Sequence, residues 1–151
     1  MLCELMVVTV DMVMTMIRTY SELIKFDSFL DRFNYLKLGG NVGTDTFGYE
    51  RYLNQIFYTS STWRRARDKV IMRDEGCDLG ILGRETNRPI IHHLNVITIE
   101  DIRNRNPKIF DPEFLITTTL RTHNGIHYSD ESVLTIAPIE RTKNDTIPWR
   151  R

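Results

Sequence analysis

The chain has 151 residues, of which 41% are hydrophobic and 26% charged, and its 20 basic and 20 acidic side chains cancel. That length supports one domain with its own core rather than two full ones. The balance excludes a wholly disordered chain, and it excludes a global positive field of the kind that drives sequence-independent nucleic-acid binding.

Residues 1–17 are unlike the rest: they hold five of the six methionines and no lysine or arginine. Glu4 and Asp11 interrupt the roughly 20 apolar residues a membrane span needs, and a secretory signal would need a positive start. Two readings remain, a poorly tethered leader, or an upstream extension with the natural start at Met14 or Met16. Helical segments then follow at Ser21–Lys25 and Ser28–Leu38, the second with Phe29, Leu30, Phe33 and Leu36 on one face and Gly39-Gly40 as its stop. Tyr52, Leu53, Ile56 and Phe57 repeat at helical spacing, and Ser60-Ser61-Thr62 offers an N-cap for a further helix from Trp63. Trp63, Ala66 and Val70 are its inward positions.

That helix places Arg64, Arg65, Arg67, Lys69 and Arg73 within ten residues, and Arg141, Lys143, Arg150 and Arg151 gather at the C-terminus. A charged helix is usually a solvated face. The alternative is a surface that holds phosphates, which requires it to lie beside a reacting site. Next, Arg73–Gly80 is turn-like, and Ile81-Leu82-Gly83 is expected to pair with Ile90-Ile91 as a small hairpin. Thr98-Ile99-Glu100-Asp101 carries a capping-box pattern, and Asp111-Pro112-Glu113 is a stop-and-turn signal. Leu115–Thr118 and Val133–Ile136 read as strands. The two cysteines, Cys3 and Cys77, give neither a metal-ligand spacing nor a disulfide framework, so a reducing cytosol suits the chain.

All four histidines lie between Ile90 and Tyr128: His92 and His93 end a short strand, while His123 and His127 sit four apart on a helix, hence on one face. The order is strand with His-His, long loop, strand, helix with His-x-x-x-His. It resembles the HNH nucleases, in which a single divalent ion hangs between a hairpin and a helix. The wider chain, from about Tyr20 to Trp149, is similar to small phage- or prophage-encoded proteins of this group, through Trp63-Arg64-Arg65-Ala66-Arg67-Asp68, Arg73-Asp74-Glu75-Gly76-Cys77-Asp78-Leu79-Gly80 and Asn144-Asp145-Thr146-Ile147-Pro148-Trp149.

The resemblance implies an α+β protein, with residues 1–17 as an apolar leader and 18–151 as a single HNH-like domain whose metal core spans about 81–130. It implies that His92, His123 and His127 are metal ligands and that His93 is the general base. An asparagine that normally orients the base is replaced by Phe114, and Asn95 or Asn124 are candidates to take over. Thr119 and Thr122 stand where many relatives carry the helical cysteines of a structural zinc.

Three imidazoles without a carboxylate favour Zn, Ni, Co or Mn over Mg, although Mg remains workable. The implied activity is a metal-dependent DNA endonuclease or nicking enzyme in the cytoplasm of a bacterial host. Its substrate would be double-stranded DNA, held by Arg64, Arg65, Arg67, Lys69 and Arg73; no membrane is implied, and a host or phage protein is a possible partner. The alternative is a catalytically weak or inactive relative that keeps the metal as a staple and binds nucleic acid or a host protein.

Overall fold

Local signals start most of the helices. Ser28 accepts a hydrogen bond from the Asp31 amide, Ser60 from Trp63, and Thr119 from Thr122, each satisfying one of the donors a helix start leaves unpaired. Thr98 and Asp101 form a reciprocal capping box. The computed structural model describes residues 16–38, 51–81 and 84–130, so residues 1–15, Leu82-Gly83 and the strand expected at Val133–Ile136 lie outside the described residues.

The described elements run α1 (Tyr20–Leu23), α2 (Phe29–Leu36), α3 (Arg51–Thr59), α4 (Ser61–Arg73), β1 (Cys77–Asp78), β2 (Arg84–Glu85), β3 (Ile90–His93) and α5 (Ile99–Arg103). Two 3-10 turns follow at Pro107–Phe110 and Pro112–Phe114, then β4 (Leu115–Thr118) and α6 (Leu120–Tyr128). This is an α+β chain. None of its described helices is long and apolar enough to cross a membrane.

The core is built on the antiparallel pair β3 and β4, in the register Ile90 to Thr118, Ile91 to Thr117, His92 to Ile116 and His93 to Leu115. Alternate residues face opposite ways. Ile91 and Leu115 pack with Trp63, Ala66 and Val70 of α4 and with Phe57 and Ile109, while Ile116 and Leu94 pack with Leu23, Tyr35, Leu36 and Ile126. Leu23, Leu94, Leu115, Ile116 and Ile126 are fully buried. Each contributes about 1.5–3 kcal/mol of burial free energy against the entropy of ordering the chain.

The hairpin expected between Ile81-Leu82-Gly83 and Ile90-Ile91 is corrected. Ile90 and Ile91 pair with Thr118 and Thr117, and the small hairpin upstream joins β1 to β2. The reason is Asp78, whose Oδ1 accepts from the amides of Gly80 and Ile81 and so turns the chain where a strand would have to continue. Its Oδ2 accepts from the Thr119 amide at 2.8 Å and the Thr122 hydroxyl at 2.6 Å. One buried carboxylate therefore ties the β1 turn to the start of α6, at Thr119 and Thr122. Gly80 makes the approach possible, since a Cβ there would collide with the Thr122 side chain.

Asp74, also buried, joins α4 to the hairpin by accepting from the Thr117 amide at 2.7 Å. Arg73 completes the joint. Its Nε pairs with Asp74, its Nη1 and Nη2 donate to the carbonyls of Pro112 and Leu115, and its guanidinium lies 3.5 Å from the centre of the Tyr20 ring.

Candidate metal centre

His92 leaves β3 on the face covered by α6, where His123 and His127, one turn apart, come forward to meet it. The ring centres of His92 lie 5.3 Å from those of His123 and 5.1 Å from those of His127, and the two helical rings are 4.4 Å apart. One nitrogen from each ring can be chosen so that all three lie within 4.8 Å of one another. Three histidines are thus close enough to hold a metal ion.

The chemistry of the donors fits an ion better than a packed core. His92 is 1% exposed, yet neither of its ring nitrogens has a hydrogen-bond partner, and Nδ1 of His123 and Nδ1 of His127 are likewise buried without one. Buried polar groups in folded proteins are nearly always paired, because each unpaired group costs about 1–3 kcal/mol. Here one nitrogen from each ring lies within reach of the other two. Burial, reinforced by the charges His123 and His127 would carry, pushes His92 well below its ordinary value, and burial lowers His123 and His127 as well. All three are therefore kept in the neutral form that a metal requires.

Comparison with known protein families, with curated proteins and with solved structures finds no match.

His93, next along β3, points to the other face. Its ring stacks on Trp63 of α4, with centres 5.2 Å apart and planes 18° from parallel, and Phe57 lies 6.2 Å away. Its Nε2 donates to the Ile109 carbonyl at 3.1 Å, an assignment that places the proton on Nε2 and leaves Nδ1 as the acceptor. Burial drives its pKa down to about 4, against the Ile109 hydrogen bond, which works in the other direction; a charge on His123 would lower it further. His93 is thus within electrostatic reach of the triad though not part of it.

Asn95 and Asn124, expected as candidates to orient His93, bond elsewhere. Asn95 exchanges two hydrogen bonds, both 2.8 Å, with the backbone of Arg18, and Asn124 bonds the His123 side chain. The orienting partner is the Ile109 carbonyl, which no sequence signal could reveal because every residue carries one. Phe114 instead gives its carbonyl to the Leu94 amide and lines a cavity of about 240 Å³ that His93 also borders.

The basic helix divides. Arg73, expected among the residues that hold DNA, has its guanidinium committed to the joint described above. Arg65 and Lys69 are exposed, Arg64 donates from Nε and Nη2 to the Thr59 carbonyl, and Arg67 makes a surface ion pair of 3.4 Å with Asp68. Since Trp63, on the same helix, stacks on His93, the exposed basic residues start one position from the residue that contacts the candidate base.

Proposed function

We propose that the protein is a metal-dependent DNA endonuclease or nicking enzyme of the HNH kind. The observation that carries this reading is the convergence of unpartnered buried imidazole nitrogens from His92, His123 and His127 beside a separately anchored neutral His93. A bound ion would give each of the three rings a partner that the protein does not supply.

A divalent transition ion in the triad, with Zn, Ni, Co or Mn favoured by three nitrogen ligands, would act as a Lewis acid toward the phosphate and the leaving oxygen. His92, His123 and His127 hold that position, with β3 and α6 fixing their spacing. His93 accepts a proton from water at Nδ1, because its Nε2 proton is held by Ile109. The water oxygen bonds to phosphorus, the bond from phosphorus to the leaving oxygen breaks, and that oxygen takes a proton from solvent. Arg65 and Lys69, exposed on α4, are placed to attract the flanking phosphates.

One observation favours a second reading. A base whose pKa is about 4, half-buried against Trp63, has less driving force at neutral pH than one tuned near 7. A weakly active or inactive relative that uses the metal as a staple and binds DNA or a protein would also tolerate such a residue. The test is cleavage of supercoiled plasmid across Zn, Ni, Co, Mn and Mg, with His93→Ala beside the parent. Cutting by the parent and none by His93→Ala supports the enzyme. Metal binding without cutting by either supports the binder.

A further inference from the structure

The cavity beside His93 is the feature that the reaction above leaves unused. Its walls include Ile17, Val96, Ile109 and Phe114, with Arg18, Lys108 and His93 among the polar neighbours. Most of its polar side chains already have partners. The Arg18 guanidinium donates to the carbonyls of Tyr35 and Lys37, Asn95 is engaged with the Arg18 backbone, and Asn106 bonds Asp101 and the Lys108 amide. What the cavity offers a ligand is thus chiefly apolar surface and the Phe114 ring, with cationic Arg18 and Lys108 alongside and the carboxylate of Asp101 held by Thr98 and Asn106.

Its volume of about 240 Å³ falls below the roughly 300 to 1,000 Å³ of sites for drug-sized ligands, so it suits a single ring system. On the nuclease reading, a ring system of that size beside His93 and close to cationic Arg18 and Lys108 fits a nucleobase of the bound strand. We infer that the cavity receives one unstacked base of the DNA strand being cut, with Phe114 as its packing and stacking wall, and that the preferred substrate carries an unpaired nucleotide next to the scissile phosphate. This inference rests on the reading of the chain as a DNA-binding protein.

It also accounts for Phe114. With the base residue anchored by Ile109, the position is free of the orienting duty an asparagine would perform and takes on a contact with substrate. Because Arg18, Asn95 and Asn106 are already bonded within the protein, recognition is chiefly by ring face and is tolerant of base identity. Flipping is cheapest where pairing is already absent, so a bulge or single strand is bound in preference to a fully paired duplex.

The experiment uses the full chain without added metal, so that nothing is cut. Anisotropy titrations compare three DNAs of equal length and charge per strand: a paired duplex, a duplex with one bulged 2-aminopurine, and a single strand with the same residue; a fourth titration uses 2-aminopurine deoxynucleotide alone. The bulged and single-stranded DNAs should bind at least about 10-fold tighter than the duplex, with 2-aminopurine emission changing on binding, and the free nucleotide should bind far more weakly than either.

Phe114→Leu, which keeps an apolar wall but no ring, should weaken binding of the bulged DNA by roughly 5- to 150-fold, the equivalent of the about 1 to 3 kcal/mol that base stacking on an aromatic ring is worth. Its duplex affinity should not change. Val96→Trp, at a site 48% exposed, should fill the cavity and give the same selective loss even if Phe114→Leu folds poorly. Equal affinity for bulged and paired DNA, or an unchanged bulge affinity in Val96→Trp, would overturn the inference while leaving the nuclease reading intact. A protein that prefers the bulge but never cuts with any metal overturns the nuclease reading and leaves the cavity assigned.

Discussion

The Nε2 atom of His93 donates to the Ile109 carbonyl across 3.1 Å, so the ring is anchored without a polar side chain at the position of Phe114. The consequence is specific. With the ring also stacked on Trp63, Phe114→Asn should not raise cleavage above that of the parent, whereas Trp63→Ala should lower it by about 10-fold or more, within the roughly 10²- to 10⁴-fold worth of a positioned base. Trp63→Phe should recover most of the loss. Single-turnover rates, read with melting temperatures to exclude unfolding, check this; a gain of activity in Phe114→Asn would show that the Ile109 bond is insufficient.

Removing any one ligand should cost the metal. Replacement of His92, His123 or His127 by alanine should weaken binding of Zn or Ni by more than about 100-fold, since even loss of groups behind the ligands commonly costs 10- to 100-fold. His93→Ala should bind nearly as tightly as the parent. Titration calorimetry on each variant makes the comparison, and a parent that binds no divalent ion at neutral pH would remove the metal centre.

The lowered histidine pKa values set the pH dependence of the metal-free protein. Above about pH 6.5 the imidazoles are neutral in both folded and unfolded chains and do not affect stability. As pH falls below that value the unfolded chain takes up protons that the folded chain refuses, so stability is lost down to the folded values, about 4 for His93. Thermal melts at pH 7.5, 6.0 and 5.0 should show a falling Tm, and His92→Leu should flatten the trend because it removes the most deeply buried of the four. A Tm that rises on acidification would contradict the assignment of neutral buried imidazoles.

On α4, Arg65→Ala and Lys69→Ala together should weaken DNA binding and reduce the slope of log affinity against log salt by about 2, one for each phosphate contact removed. Arg73→Ala should behave differently, lowering thermal stability through loss of its bonds to Asp74, Pro112 and Leu115. Binding isotherms from low to moderate salt separate the two effects. An unchanged slope in the double variant would return the exposed residues to the status of a solvated face.

Asp78→Ala should destabilise the fold by about 3 kcal/mol or more, because it strips partners from the Thr119 amide, the Thr122 hydroxyl and the amides of Gly80 and Ile81 in a buried setting. Urea denaturation of the metal-free protein measures it. A loss below about 1 kcal/mol would mean that water replaces the carboxylate.

What could be read in advance was what is encoded by neighbours in the chain. The Ser60 cap and the Thr98–Asp101 capping box are complete within four residues, and the pairing of His123 with His127 follows from helical geometry alone. The meeting of His92 with those two needs only that β3 pack on α6. Two features depend on distant partners and a third on a side-chain turn, and all three are hidden. Arg73 looks like Arg65 in sequence and differs because Pro112 and Leu115 arrive beside it. Ile81 was assigned to a strand because it is apolar, yet its amide is captured by Asp78. The Ile109 carbonyl has no residue signature at all, and the segment that carries α5 separates it from His93.

The hydrogen bonds of Asp78 also bear on the order of events if the triad takes an ion. They pin α6 to the β1 turn through protein groups, so the helix that presents His123 and His127 has a support independent of the triad. On the reading proposed above, folding and loading would then be separable events, and a newly made chain in an ion-poor cell would wait on the supply of free metal rather than on the rate of synthesis.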